Sequence, residues 1–420
     1  MLSPLEVARR KQSAAVLDAV GALEARAAFK EALGWLGRER KWIDEQHLAV
    51  CRIPAPTFRE EKRAEYMQAQ FRQLGLDARI DRAGNVVATL SADKNGTRPL
   101  VAVTAHLDTV LAPETGDDIK LQGDRFLGPG VADNGAGVAA LIAVARVATQ
   151  FDLFSTTPAG LALVANVGEE GEGNLSGMRF LCRQSPLASR FRGFLVLDGP
   201  ATDHITADAL ACRRFEVTIQ GPGGHSWSDF GMANPVNTLC RAISEFADQR
   251  AELGAQPTKS SFNFGVIEGG STINAIPALA RAKADLRAED PAQLDEMVQQ
   301  LARTLERAAQ VENERATAGR VTAKMRETGS RPGGKLPPGA GILAILKAVD
   351  EHLGVRSHLD CASTDANIPL SLGIPALSIG AGGQGGGAHT PAEWYCPEGR
   401  EIGLRRILLA VGLLLEEAVG

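Results

Sequence analysis

Four apolar runs in this sequence are each followed closely by a side chain that can bind a metal. His106 and Asp108 follow LVAVTA, Glu169 and Glu170 follow LALVAN, Asp198 closes FLVLD, and His389 ends the loop after IPALSIG. A further carboxylate, Asp133 in GPGVADNGAGVAALIAV, stands just before a helix-like stretch whose small residues let backbones approach closely. Two imidazoles among several carboxylates suit zinc, with manganese or cobalt as alternative occupants.

The spacing suggests roles. Alternation puts Asp108 on the same side as His106, where it can accept the imidazole N–H and leave the other ring nitrogen free for a metal. Adjacent Glu169 and Glu170 point in different directions, so one can ligate while its neighbour takes a proton from the attacking water. Two metals about 3.5–4 Å apart need a shared carboxylate, and Asp133 on a tight turn is the natural bridge. Taken singly, each signal has a bland reading: an HxD after a strand is structural, an EE pair is a solvated surface, and an Asp before a helix is an N-cap. Together, they would crowd carboxylates into one crevice with no cation to relieve their repulsion.

These residues need elements to position them. Continuous apolar runs separated by helix-like stretches read as buried parallel strands, and ligands of open α/β sheets bind beyond the carboxyl ends of such strands. A helical lead-in runs from Pro4 to Val50, and an amphipathic helix follows from Glu60 to Gly75. From Cys212 to Arg320 the texture changes to strand-helix-strand-strand-helix, followed by the strand-like RVTAKMRE, which fits a small α+β domain inserted into the α/β one. We expect a catalytic domain of residues 1–210 and 325–420, with a helical extension over 1–41, and an inserted domain of 211–324. Within that inserted domain, the Gly run around His225 would let a loop reach a substrate, although a local hydrogen bond explains it equally. His47, His204, His352 and His358 show no partner pattern.

The net charge of −5, with mixed signs and no basic cluster interleaved with aromatics, argues against a nucleic-acid partner. Six cysteines without a CxxC pair argue against a disulfide framework, and the chain reads as reduced and cytoplasmic. No apolar stretch approaches the roughly 20 residues of a membrane span, and the N-terminus lacks a signal peptide's apolar region. A nucleotide-binding reading fails for want of a Walker or dinucleotide fingerprint, and AGGQGGGAHT is better explained as positioning His389 than as a phosphate cradle.

From about Trp42 onwards the chain resembles the aminoacylase, carboxypeptidase G and peptidase T family of dinuclear zinc hydrolases, through HLDTV, GPGVADNGAG, GEEGEGNLSG, VLDGP and GGGAHTPAEW in that order. The resemblance implies a phosphorylase/hydrolase-like α/β catalytic domain with a ferredoxin-like lid, often a dimerisation surface. It implies that one zinc takes His106 and Asp198 and the other Glu170 and His389, with Asp133 bridging and Glu169 as general base. His225 would stabilise the oxyanion, commonly across a homodimer, while Asn274 and Arg287 would hold substrate, Arg287 as a carboxylate clamp. Within the family, an aspartate such as Asp198 as third carboxylate accompanies aminopeptidases and dipeptidases, and STDANIPLSLGIPA is similar to the peptidase T branch. The expected activity is therefore that of a di- or tripeptide aminopeptidase. An N-acyl-amino-acid amidohydrolase or carboxypeptidase is the alternative, and a non-catalytic metal- and peptide-binding protein ranks last.

Overall fold

The computed structural model describes residues 4–91, 96–254, 258–336 and 339–417, with side chains from Ala14 onward. It comprises two compact units, one of residues 1–209 and 334–420 and the other Leu210–Gly333.

The larger unit is built on a mixed sheet of nine strands among the described residues. At its centre Leu100–His106 pairs in parallel with Gly160–Asn166 on one side and Phe191–Leu197 on the other, and Ala376–Ile379 continues the parallel set. The strands Leu100–His106 and Gly160–Asn166 are buried at every residue. That is why they carry no alternation of polar and apolar residues. Register pairs His106 with Asn166, so the first polar side chains after both runs emerge at one edge. A second, antiparallel sheet joins Gln384–Gly386, Trp394–Cys396, Arg125–Leu127 and Lys120–Gln122. It brings the GPGVAD loop against the loop that carries His389.

The helix Gly135–Gln150 starts at an N-cap Asn134, whose side chain accepts the Gly137 N–H. Its first turn lies so close to neighbouring chain that a Cβ at Gly137 would stand 2.7 Å from the Leu197 carbonyl oxygen. The N-terminal segment is three helices, Pro4–Ala25, Ala27–Arg38 and Arg40–Cys51. Leu23 and Phe29 belong to the main core, and a Cβ at Gly412 would strike both. The extension before Trp42 is thus part of the larger unit's packing. Among the described residues, no helix is long and apolar enough to cross a membrane.

The smaller unit is a four-stranded antiparallel sheet in the order Ser260–Gly269, Leu279–Ala288, Ala211–Gln220, Thr322–Arg331. The helices Pro235–Glu252 and Pro291–Arg315 pack on it around Phe215, Phe246, Leu286 and Leu301. Both helices open on an Asn or Asp cap followed by Pro at the first position. The strand that begins in RVTAKMRE continues to Arg331, paired to Cys212, so residue 324 falls inside a strand of this unit.

Candidate metal centre

His106 is the last residue of its strand and is 1 % exposed. Its Nδ1 lies 3.0 Å from the main-chain oxygen of Asp108 and 3.6 Å from the Asp108 carboxylate. A carbonyl can only accept, so Nδ1 carries a proton, and Nε2 is the nitrogen that can bind a metal once it gives up its own. This corrects the expected partner, because it is the carbonyl of residue 108 that takes the ring N–H. The Asp108 carboxylate is engaged elsewhere, accepting the backbone N–H of Glu169 at 3.0 Å and of Glu170 at 2.9 Å and the Thr57 hydroxyl at 3.0 Å. It organises the turn that presents both glutamates.

Asp133 lies between the two histidines. Its Oδ1 is 3.2 Å from His106 Nε2 and its Oδ2 is 3.1 Å from His389 Nε2. Asp198 approaches His106 Nε2 at 3.7 Å, and Glu170 approaches His389 Nε2 at 2.9 Å. Ligand atoms of three sets, His106 with Asp133 and Asp198, Asp133 with Glu170 and His389, and His106 with Glu169 and Glu170, lie within 4.8 Å of one another. Among the described residues, buried His106 Nε2 and Asp133 Oδ1 have no hydrogen-bond partner. Unpartnered buried polar atoms converging among carboxylates are costly without a cation, so these residues fit two divalent ions, with Asp133 common to two sets.

The electrostatics point the same way. Hydrogen bonds to Asp133 and Glu170 push the His389 pKa up to about 10 against the effect of burial. At His106, burial disfavours charge, yet the neighbouring Asp108, Asp133 and Asp198 overcome it and raise the pKa well above the ordinary value. Asp133 is held below the usual carboxylate range despite burial, by both histidines. His389 has φ of 64°, an uncommon left-handed conformation for a non-glycine residue.

Several supporting residues carry no obvious sequence signal. Glu393 is 3 % exposed and accepts backbone N–H groups of the Asp133 loop. His47 is fully buried with Nε2 2.7 Å from the Val131 carbonyl oxygen. Asp365, within STDAN, is fully buried and accepts the Asn166 side-chain N–H at 2.6 Å, and burial raises its pKa to about 7. The closest thing to a signal was that Glu393 and Asp365 fall within stretches already singled out.

In the smaller unit, His225 and Asn274 are neighbours. Gly224–His225 pairs with Ala275–Ile276, and the Ser226 N–H donates to the Asn274 carbonyl at 3.0 Å. Arg287 lies toward the far end of the strand that starts at Leu279, about 25 Å away along the strand. Its Nε and Nη2 bind Asp285 at 3.0 and 2.8 Å. Arg287, expected as a carboxylate clamp, thus forms an ion pair with a residue two positions away on the same strand face.

Residues 213–312 match the model of the peptidase dimerisation domain of the M20 family, and residues 85–222 match that of peptidase family M28. YqjE, an uncharacterised protein of Bacillus subtilis, is 25 % identical over 81 % of this chain and 90 % of its own length. Succinyl-diaminopimelate desuccinylase of Corynebacterium glutamicum is 26 % identical over 79 % of this chain and 85 % of its own. Among solved structures, a Staphylococcus aureus tripeptidase aligns with a TM-score of 0.72 at 21 % identity, covering 89 % of this chain and 98 % of that one. Aminopeptidase PepT of Bacillus cereus aligns at 0.67 and 19 % identity, over 88 % and 97 %. With the fold, the match to the peptidase dimerisation domain and the clustered metal-binding side chains together, the chain resembles the M20 and M28 peptidases, and its larger unit carries the side chains of a metal-dependent hydrolase.

Proposed function

We propose that the protein is a di- or tripeptide aminopeptidase that hydrolyses an amide bond at a two-metal centre. The observation that carries this reading is the Asp133 carboxylate set between His106 and His389, with buried donor atoms left unpartnered around it. His106 and Asp198 would hold one ion, Glu170 and His389 the other, and Asp133 both; zinc suits the donors best. When bound, the ions would polarise the scissile carbonyl and ease deprotonation of the attacking water. Glu169, grouped with His106 and Glu170, takes that proton and passes it to the leaving amine. His225, contributed by the dimerisation unit of a partner copy, donates its Nε2–H to the developing oxyanion, and Asn274 beside it contacts the substrate. Arg287 is left out, being held by Asp285.

An aspartate at position 198 and the likeness to a tripeptidase and an aminopeptidase support the peptide reading. The desuccinylase relative favours a second one, an N-acyl-amino-acid amidohydrolase. Release of amino acids from a panel of di- and tripeptides and N-acyl amino acids, with zinc, manganese or cobalt supplied, separates them. Cleavage from a free N-terminus supports the aminopeptidase; turnover of acylated amino acids alone replaces it with the amidohydrolase.

A further inference from the structure

The loop Gly128–Asp133 carries the proposed shared ligand, Asp133, and turns sharply, with φ of 133° at Gly128 and 76° at Gly130. A Cβ at Gly130 would stand 2.4 Å from Thr109 Cγ2, so the turn is pressed against its neighbour and no larger residue fits. A turn of this kind leaves backbone N–H groups pointing inward, and each must find an acceptor. The Val131 N–H donates to the Gly128 carbonyl at 3.4 Å, and the other three find a single side chain. Glu393 Oε2 accepts the Gly130 N–H at 2.8 Å, and Oε1 accepts those of Ala132 at 2.8 Å and Asp133 at 2.9 Å.

The register of the small sheet explains how Glu393 reaches them. Trp394 pairs with Leu127, and one step further the Gly128 N–H donates to the Glu393 carbonyl at 3.0 Å. The ladder therefore ends at Glu393, whose carboxylate continues the pairing where the turn prevents backbone from doing so. Glu393 lies four residues after His389. One buried carboxylate thus ties the segment bearing Asp133 to the segment bearing His389. Charge-assisted bonds of this kind are about twice as strong as neutral ones, and three on one side chain fix its position closely.

We infer that Glu393 is a positioning residue that sets Asp133 and His389 at the spacing the second metal ion requires. This rests on the two-metal reading above. Asp133 is held from other sides too: the Asn134 side chain donates to the Leu197 carbonyl at 2.8 Å, and His47 meets the Val131 carbonyl. The ion shared with His106 and Asp198 therefore keeps its setting when Glu393 is altered, and the His389 side loses the most. Glutamine in place of Glu393 keeps the size but offers one acceptor oxygen and turns an NH2 donor toward N–H groups.

The test is a chelator-buffered zinc titration of the full-length protein as wild type, Glu393→Gln and Glu393→Asp, with unfolding of each metal-free form followed by circular dichroism. Wild type should bind two ions. Glu393→Gln should keep one at wild-type affinity and bind the other about 10–100-fold more weakly, with kcat reduced and KM little changed. Glu393→Asp, which restores the charge one methylene short, should fall between them. A wild type that binds fewer than two ions overturns the two-metal reading and the inference with it. Two ions in wild type and equal affinities in Glu393→Gln overturn the inference alone. If Glu393→Gln does not fold without metal, Glu393→Asp is read in its place. If that variant also fails to fold without metal, the carboxylate supports the fold and the inference is lost.

Discussion

Nδ1 of His225 accepts the backbone N–H of Trp227 at 3.2 Å, with that of Ser228 beside it at 3.3 Å. Two donors at one ring nitrogen require that nitrogen to be unprotonated, so in the neutral ring the proton resides on Nε2. The turn is itself pinned, because the His225 N–H donates to Asp229 at 2.7 Å. An exposed imidazole is thereby given a fixed tautomer with a donor facing outward.

If that donor meets the oxyanion, His225→Ala should reduce kcat by about 10²–10³ with little change in KM. Because the side chain is exposed, metal content and melting temperature should match wild type. A variant with full kcat on the best peptide would remove His225 from the reaction.

Glu169 gives a different pattern. Its backbone is held by Asp108, and its side chain groups with His106 and Glu170. Glu169→Gln should keep two ions and lose about 10²–10⁴ in kcat, the usual size of a general-base contribution. Loss of metal in step with activity would show that Glu169 is a ligand rather than the base.

The convergence of His106, Asp133, Glu170, Asp198 and His389 was legible because buried parallel strands are apolar on both faces, so a polar residue at their ends stands out. Glu393 was not, since its partners are backbone N–H groups more than 250 residues away and main chain leaves no trace in residue type. An imidazole on a helix, such as His47, shows its partner, here a carbonyl at Val131, only once the chain is folded. The Asp108 expectation missed its detail for a related reason. Alternation puts the side chain on the correct face, but the turn after His106 brings the residue's own carbonyl to the ring. Strand alternation places Asp285 beside Arg287 as readily as it exposes Arg287 to a ligand, so the pairing with Asp285 is legible only in the fold.

One stability prediction concerns the helices that close the larger unit. Arg406, fully buried, binds Asp350 through Nε at 2.6 Å and Nη2 at 2.8 Å. Asp350→Ala should cost about 3–5 kcal/mol by leaving a guanidinium buried without its partner, measurable by urea unfolding. Replacing both residues together, as Asp350→Leu with Arg406→Met, should recover most of that loss. A double variant no more stable than the single one would contradict the unpaired-charge account.

The pH dependence of stability should carry a mark of His47. Its ring is fully buried, 4.6 Å from Tyr395 and edge-on to Phe126, and Nδ1 has no hydrogen-bond partner among the described residues. Burial, with Arg400 adding to it, pushes its pKa down to about 3 even though the Val131 carbonyl favours the charged form. The unfolded chain takes up a proton here near pH 6.5, whereas the native state does not until about pH 3. Between those values the unfolded state binds more protons, so His47 lowers stability as pH falls through that window and contributes nothing above it. The slope is at most about 1.4 kcal/mol per pH unit. His47→Gln keeps an N–H for the Val131 carbonyl and removes the titration. Urea unfolding of both proteins in chelator, at pH 7, 6 and 5, should give the variant the shallower loss of stability below pH 6.5. Parallel losses in the two proteins would mean that the ring accepts a proton in the folded state as readily as in the unfolded one.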